Sequence, residues 1–279
     1  MGGSAVRRVV ARAQRVLQHG RYPYLRRRRM LRALGPDLAA EVAWPVTDPP
    51  IPDGDLADVF NGSVDVHKWA HYLPIYESAL APFRSRPIRM LEIGVFHGGS
   101  LTMWRRYLHP DSVIVGIDID PATAQFDDPA SGIHVRVGGQ QDVDFLREVV
   151  DEFGPFDVIL DDGSHRSSHM IDTFRYLFPN ALADGGIYLV EDIHANYWTG
   201  WRDTATTFAD FTRWLTDAMH AHYQSSDSES DFRVGDPGRK LAFKVPFATT
   251  VIEKIDVYDS VTVVHRADGR RQLPRSIYK

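Results

Sequence analysis

The sequence predicts an α/β fold in which a mostly parallel, doubly wound sheet lies between layers of helices. Short apolar runs of strand length recur along the chain, stretches with helical apolar spacing separate them, and two runs end in paired acids. The pairs Asp161-Asp162 and Glu191-Asp192 follow the runs Val158–Leu160 and Ile187–Val190. Because strands joined by a helical crossover are parallel, both pairs should lie at the carboxyl edge of the sheet, where such folds bind ligands.

The other elements complete a sheet of seven strands. Three earlier strands are predicted at Arg89–Val95, Val113–Ile117 and His134–Val137, and a helix over Met170–Leu182 should end before Gly185-Gly186. Near the C-terminus, Phe243–Phe247 or Thr250–Val257 would form an antiparallel hairpin with Ser260–His265 at the edge of the sheet.

Residues 1–55 are predicted to be a basic helical arm and a Pro-rich linker, and residues 56–279 the main domain. The Arg-rich stretch Met1–Leu34 has helical apolar spacing from Val9 to Leu17, which favours an arm packed on its own domain or on a second subunit. The alternative is a basic amphipathic segment that contacts an anionic membrane surface or an acidic partner. A helix from Val64 would place Lys68, His71 and Tyr72 on a polar face above the ligand edge.

Composition is that of an ordinary soluble protein, with 43% hydrophobic and 25% charged residues among 279. The chain has no cysteine, so disulfides, thiolate metal sites and a cysteine nucleophile are excluded. A net charge of −5 gives no general case for nucleic acid as a partner. No apolar run approaches the roughly 20 residues of a membrane span, and we expect a cytoplasmic protein.

The paired acids predict a metal site. Several carboxylates brought to one point repel each other, and a hard divalent cation such as Mg²⁺ removes that cost. Each pair also runs into a histidine, His165 or His194. The alternative is that the acids cap helix N-termini or face solvent.

A Gly-rich turn after the first strand predicts a nucleoside cofactor. The next strand ends in Asp118-Ile-Asp120, where an acid typically binds ribose hydroxyls. The spacing Glu92-x-Gly94-x-x-x-Gly98 lacks the G-x-G-x-x-G pattern and argues against NAD. After the third strand, Gln140, Gln141 and Asp142 either read an adenine edge or cap a helix.

The motifs MLEIGVFHGGS, VGIDID, GGQQDVDFL, ILDDGSH and YLVEDIHANYW resemble those of class I S-adenosylmethionine-dependent methyltransferases. More narrowly, they are similar to metal-dependent sugar O-methyltransferases of actinobacteria, which act on macrolide deoxysugars, mycobacterial polymethylated polysaccharides and rhamnosyl glycolipids. The resemblance covers about Val64 to His265 and implies a Rossmann-like sheet, S-adenosyl-L-methionine as cofactor, and Mg²⁺.

The resemblance also assigns roles to residues. It implies Asp162, Glu191 and Asp192 as metal ligands, His165 as the catalytic base, and Asp161 beside the cofactor sulfonium. The remaining expected cofactor contacts come from the Gly-rich turn and the next two strand ends: Glu92, Gly94, Val95, Phe96, His97, Gly98, Ser100, Asp118, Ile119, Asp120, Gln140, Gln141 and Asp142. Candidate contacts to the acceptor are Tyr72, His194, Tyr197 and Trp198.

The expected function is therefore Mg²⁺-dependent O-methylation of a sugar hydroxyl. The macrolide enzymes carry a large N-terminal auxiliary domain where this chain has a short basic arm, which favours a short mannoside or another polysaccharide precursor over a macrolide, with a rhamnosyl or deoxysugar unit also compatible. Alternatives are a catechol-type O-methyltransferase, a hydroxylase-like or non-catalytic cofactor-binding relative, and a membrane-attached interaction protein. We expect a homodimer because this class often forms one.

Overall fold

The computed structural model describes residues 25–198 and 200–277, and its centre is one sheet of seven strands. The strands are β1 Arg89–Ile93, β2 Val113–Asp118, β3 Ile133–Val137, β4 Phe156–Asp161, β5 Leu182–Val190, β6 Ile252–Val257 and β7 Thr262–Arg266. Their order is β3-β2-β1-β4-β5-β7-β6, parallel from β3 to β5, with β7 antiparallel to both neighbours. The predicted doubly wound sheet with its C-terminal hairpin is confirmed.

Helices cover both faces of this sheet. Residues 25–38 are helical and are called α1; the others are α2 Asp55–Asn61, α3 Tyr72–Leu80, α4 Gly99–Tyr107, α5 Val143–Phe153, α6 Ser167–Asn180, α7 Phe208–Met219, α8 Ala221–Gln224 and α9 Phe247–Val251. Short 3₁₀ helices lie at Ala81–Phe83, Pro121–Phe126, Pro129–Ser131, Ile193–Tyr197 and Glu229–Phe232. In the described part of the chain, no helix combines the length and apolar character that a membrane crossing requires.

Two apolar clusters form the core, one on each face of the sheet. Consecutive residues of β1 point to opposite sides, so Met90 packs with Tyr76 and Trp104, while Leu91 packs with Phe174 and the helices α5 to α7. Central parallel strands buried on both faces need continuous apolar runs, which explains why these strands were recognisable in the sequence.

Strand register brings the functional ends together. Ile93 at the end of β1 pairs with Ile117 of β2 and with Asp161 of β4, and Asp161 pairs with Val190 of β5. The residues that follow these strands therefore leave the sheet at the same edge, as the crossover argument predicted.

Several predicted boundaries are wrong. Residues 64–71 are not helical and α3 begins at Tyr72, since Asp65 has a positive φ of 57° and the chain there packs against Gly99. Tyr72 is buried instead of lying on a polar face, and Trp69 is 47% exposed. Gly185-Gly186 lies inside β5, and of the two candidates for the first hairpin strand, β6 corresponds to Thr250–Val257.

Two findings concern the N-terminal region. Helix α1 continues past Gly35, where the linker was predicted to begin. Arg26 of α1 donates to Asp210 of α7 at 2.9 Å, and its guanidinium lies 5.6 Å from the centre of the Tyr197 ring. This end of the arm therefore contacts its own domain. The predicted helical spacing from Val9 to Leu17 lies outside the described residues.

We expect Gly94→Ala to destabilise the fold by about 2–3 kcal/mol, because Gly94 has a φ of +98° and a Cβ there would overlap the carbonyl oxygen of Asp162. The control is Gly185→Ala, since Gly185 has a φ of +74° but no atom within 4 Å of the added Cβ. Its cost should be about 1 kcal/mol, from backbone strain alone. Urea unfolding measures the free energy of unfolding of both variants. Equal losses of stability would contradict the close approach of the turn after β1, at Gly94, to the turn after β4, at Asp162.

Candidate active site

A cavity of about 400 Å³ opens at the carboxyl edge of the sheet. It joins the Gly-rich turn after β1 with the acids after β4 and β5. The predicted site residues that line it are Tyr72, Gly94, Val95, Phe96, Ser100, Asp118, Ile119, Gln140, Gln141, Asp162, His165, Glu191 and Asp192. One cavity is thus lined both by residues predicted to contact the cofactor and by the acids predicted to bind a metal ion.

Other predicted residues lie outside the cavity lining: Glu92, His97, Gly98, Asp120, Asp142, Asp161, His194, Tyr197 and Trp198. Several of them have structural partners instead. The Asp120 side chain caps the 3₁₀ helix Pro121–Phe126 by accepting from the amide of Ala122, and Asp142 caps α5. For Asp142, helix capping was the alternative that the sequence left open.

Asp118 shapes the Gly-rich turn. Its Oδ2 accepts hydrogen bonds from the backbone amides of Val95 at 2.8 Å and Phe96 at 3.0 Å, and its Oδ1 accepts from the amide of Asp120. Phe96 has a positive φ of 50°, and these two bonds hold the turn in that conformation. The carboxylate therefore positions the backbone that lines the cavity, in addition to any contact with a ribose.

Gln140 uses its side chain inside the protein. Its Nε2 donates to Asp161 Oδ1 at 3.1 Å and lies 3.3 Å from Thr173 Oγ1, and its Oε1 accepts from the Ser164 amide at 2.7 Å. The residue is buried, whereas Gln141 is exposed. Of the two glutamines, Gln141 is the one with a side chain free to face an adenine.

Asp162, His165 and Asp192 form a compact group. One ligand atom of each lies within 4.8 Å of the others, a spacing that a metal ion could bridge. His165 Nε2 is 3.5 Å from Asp192 Oδ2 and 3.9 Å from Asp162 Oδ1. His165 and Asp192 both have positive φ angles, 54° and 55°, so the backbone is held in a costly conformation at both residues.

Glu191, the third predicted ligand, faces a lysine that the sequence did not identify as a site residue. Lys68 Nζ lies 2.5 Å from Asp162 Oδ2, 2.7 Å from Glu191 Oε1 and 3.9 Å from Glu92 Oε1, and its side chain is 2% exposed. The other oxygen of Glu191, Oε2, is buried without a hydrogen-bond partner. Helical spacing placed Lys68 on a polar face above the ligand edge, but nothing in the sequence indicated that its ammonium contacts the acids.

The electrostatics of this cluster follow from burial. Burial alone lowers the pKa of the Lys68 ammonium, but Asp162, Glu191 and Glu92 outweigh it and raise that pKa above its ordinary value. Burial raises the pKa of Glu92 and of Glu191 to about 7, against the opposing effect of Lys68. The ammonium therefore opposes the effect of burial on both carboxylates. Burial likewise raises the pKa of Asp161 to about 6.

Aromatic side chains adjoin Asp192 on the outer side. Tyr72 donates from its hydroxyl to Asp192 Oδ1 at 2.7 Å, and His194 Nδ1 lies 2.5 Å from Ser260 Oγ. The His194 ring centre is 5.4 Å from that of Trp69 and 4.6 Å from that of Trp198. Trp69 and Trp198 are each about half exposed, so this rim offers flat apolar surface next to the acids.

Comparison with known proteins agrees with this geometry. Residues 91–193 match the family described as a methyltransferase domain. Over 149 residues the chain is 41% identical to the 8-demethyl-8-(2-methoxy-α-L-rhamnosyl)-tetracenomycin-C 3'-O-methyltransferase of Streptomyces olivaceus, a match that covers 51% of this chain and 37% of that enzyme. It is 38% identical over 172 residues to the 8-demethyl-8-α-L-rhamnosyl tetracenomycin-C 2'-O-methyltransferase of the same organism, covering 57% and 44%. The matches span less than half the length of either relative.

A solved structure is similar over a larger share of the chain. The MycE methyltransferase of the mycinamycin biosynthetic pathway, in complex with Mg and SAH, superposes with a TM-score of 0.65 at 28% identity, covering 81% of this chain and 56% of that one. The chain thus has the fold of the class I methyltransferases, and its residues 91–193 match a methyltransferase domain. Within that class, the chain is similar to sugar O-methyltransferases, which confirms the resemblance of its motifs.

We expect Gln140→Leu to destabilise the protein by about 1–3 kcal/mol, because the buried Asp161 carboxylate then keeps, among the described residues, only the Gly163 amide as a donor and the Ser164 amide loses its acceptor. Gln141→Leu, the matched control at an exposed position, should stay within about 0.5 kcal/mol of the parent. Urea unfolding measures both. Calorimetry of S-adenosylhomocysteine binding then tests the adenine contact, because weaker binding by Gln141→Leu would assign that contact to Gln141. Unchanged stability of Gln140→Leu would refute the structural role of Gln140.

Proposed function

We propose that this chain is an O-methyltransferase that moves the methyl group of S-adenosylmethionine to a hydroxyl of a sugar, with the help of a divalent cation such as Mg²⁺. The observation that carries the proposal is the single cavity that connects the Gly-rich turn to Asp162, His165 and Asp192. A donor bound in the turn and an acceptor bound at the acids would meet inside it.

The turn side suits a nucleoside. Phe96 and Ile119 line the cavity and are 68% and 70% exposed, which leaves apolar surface for a purine to cover. Gln141 and Asp118 line the same part of the cavity and supply polar groups next to that surface. Gly94 allows the backbone to come close, since a side chain there would have no room.

The acidic side suits a hard cation. Asp162 and Asp192 place carboxylate oxygens near one another, and Glu191, next to Asp192 in the chain, adds a buried oxygen, Oε2, that has no hydrogen-bond partner in the described part of the chain. Oxygen donors of this kind are the ligands that Mg²⁺ prefers. These three residues would hold the ion, and when bound it would lower the pKa of a sugar hydroxyl and orient it.

His165 is positioned to act as the base. Its Nε2 lies 3.5 Å from Asp192 Oδ2 and 3.9 Å from Asp162 Oδ1, beside the acids at which the acceptor hydroxyl would bind. As His165 takes the hydroxyl proton, the oxygen forms a bond to the methyl carbon and the carbon–sulfur bond breaks. The products are the methyl ether, S-adenosylhomocysteine and a protonated His165. The positive charge of the sulfonium thus ends as the proton on His165, so catalysis depends on positioning and on deprotonation of the hydroxyl.

A sugar acceptor is favoured over a catechol by two observations. The two Streptomyces relatives are named for transfer to rhamnosyl hydroxyls, 3' and 2' respectively. The rim of Trp69, His194 and Trp198 combines flat apolar faces with a histidine, a surface that suits the apolar face and hydroxyls of a sugar ring. The same relatives act on glycosides of a polyketide, so we place a rhamnosyl or deoxysugar unit ahead of a polysaccharide precursor.

Transfer from labelled S-adenosylmethionine to rhamnosides, short mannosides and catechols tests the function, with Mg²⁺ or with EDTA. We expect methylation of a sugar that EDTA abolishes. Asp192→Asn should lose about 100-fold or more in rate while it still binds S-adenosylhomocysteine. Asp172→Asn, an exposed acid paired with Arg175 on α6, is the control and should keep full rate. Transfer only to catechols, or transfer that ignores EDTA, would contradict the proposal.

The aromatic rim is tested separately. Trp198→Ala should raise KM for the sugar acceptor about tenfold and leave KM for S-adenosylmethionine unchanged, because a lost stacking face is worth up to about 1.4 kcal/mol. Trp214→Ala is the control, since Trp214 on α7 is exposed to nearly the same degree, 51% against 49%. Steady-state kinetics with each substrate varied gives both constants. Equal behaviour of the two variants would exclude Trp198 from the acceptor site.

A further inference from the structure

Lys68 occupies an unusual position for an ammonium group. Its side chain is 2% exposed and reaches three carboxylates that come from different parts of the chain: Glu92 on β1, Asp162 after β4 and Glu191 after β5. Glu92 and Glu191 are themselves buried. A buried ammonium is costly without partners, and so are three converging carboxylates without a cation. The Lys68 ammonium and the three carboxylates therefore stabilise each other in the buried state.

The contacts of Lys68 also decide which carboxylate oxygens remain available. Lys68 binds Oδ2 of Asp162, and Oδ1 of the same residue faces His165. It binds Oε1 of Glu191, and Oε2 of that residue has no partner. The ammonium thus contacts one oxygen of each acid and not the other. Protein groups therefore hold both acids in place.

Lys68 further connects the acids to a wall of the cavity. The segment 65–69 lines the cavity along its whole length but is neither helix nor strand. At its N-terminal end, the backbone carbonyls of Val64 and Asp65 pack on Gly99 at the start of α4. Near its C-terminal end, the ion pairs of Lys68 attach it to β4 and β5. These pairs therefore tie the irregular segment to the rigid sheet, in addition to the packing of Val66 against the apolar core.

We propose that Lys68 is a positioning residue: through its ion pairs with Asp162 and Glu191 it fixes both acids and the cavity wall 65–69 before a divalent cation binds. The proposal rests on the proposed function in that it assigns the cavity to the cofactor and the acids to the cation. It adds that the Lys68 ammonium is a permanent positive charge of the protein at the carboxyl edge of the sheet. The pocket for S-adenosylmethionine is then assembled whether or not Mg²⁺ is present.

The test uses Lys68→Met, which removes the charge and keeps a side chain of similar length. Calorimetry in EDTA should show S-adenosylhomocysteine binding at least about tenfold more weakly than the parent, because the wall is no longer tied. Mg²⁺ should raise the Tm of Lys68→Met more than it raises the Tm of the parent, since the ion then relieves repulsion that Lys68 had compensated. A purely structural lysine would lower Tm without changing this response to Mg²⁺.

Lys254→Met is the matched control. Lys254 forms an ion pair with Asp256 at 2.8 Å on β6, but it is 57% exposed and outside the cavity lining. This variant should bind S-adenosylhomocysteine and respond to Mg²⁺ as the parent does. Parental affinity in EDTA together with a parental Mg²⁺ response in Lys68→Met would overturn the proposal.

A measurement on the unaltered protein covers the case in which Lys68→Met does not fold. Trypsin cleaves after lysines that can enter its active site, so in EDTA the folded protein should resist cleavage after Lys68 while it is cut after the exposed Lys244. Early cleavage after Lys68 would show that the wall is not held, and would overturn the proposal. If the parent fails to bind S-adenosylhomocysteine, the proposed function fails, whereas the Mg²⁺ response and the trypsin result still decide the role of Lys68.

Discussion

The repulsion among carboxylates at the ends of the parallel strands is the constraint on which the rest of the site depends. The register that aligns Ile93, Asp161 and Val190 is the ordinary register of a buried parallel sheet. It forces Asp162 and Glu191 to emerge side by side, beneath low-dielectric apolar layers. Positive charge that enters the cluster lowers this repulsion. Lys68 supplies one such charge, and the geometry of Asp162 and Asp192 leaves room for a second.

Most of the sheet could be predicted because its signals are local. The five parallel strands were predicted from short apolar runs. Because strands joined by helical crossovers are parallel, the acids at the ends of β4 and β5 could also be assigned to the carboxyl edge of the sheet. Lys68 could not be found in this way, since its two nearest partners are 94 and 123 residues further along the chain. No periodicity describes the irregular segment that carries it. Helical spacing extended backward from α3 therefore placed it above the ligand edge, as observed, but on the polar face of a helix and without its buried partners.

The cofactor side shows a different limit of sequence analysis. Gln140, Asp118 and Asp142 were recognised by residue type and position, and the structure finds each at the predicted edge. Residue type does not reveal whether a polar side chain faces a ligand or a buried backbone group, because both need the same hydrogen bonds. Gln140 satisfies Asp161 and Ser164, and Asp142 caps α5. Only the hydrogen-bond partners seen in the structure distinguish a side chain that is free to contact a ligand from one that is used inside the protein.

The distribution of site residues along the chain limits what the relatives can say about the acceptor. The matched methyltransferase domain, residues 91–193, contains Asp162, His165, Glu191 and Asp192. The groups around those acids come from outside it: Lys68 and Tyr72 precede it, and Ser260, which contacts His194, follows it. A match to the central segment therefore supports methyl transfer and leaves these flanking groups untested. Trp69 and Trp198, whose rings contact His194, also lie outside the matched domain, so the proposed acceptor contacts have no support from that match.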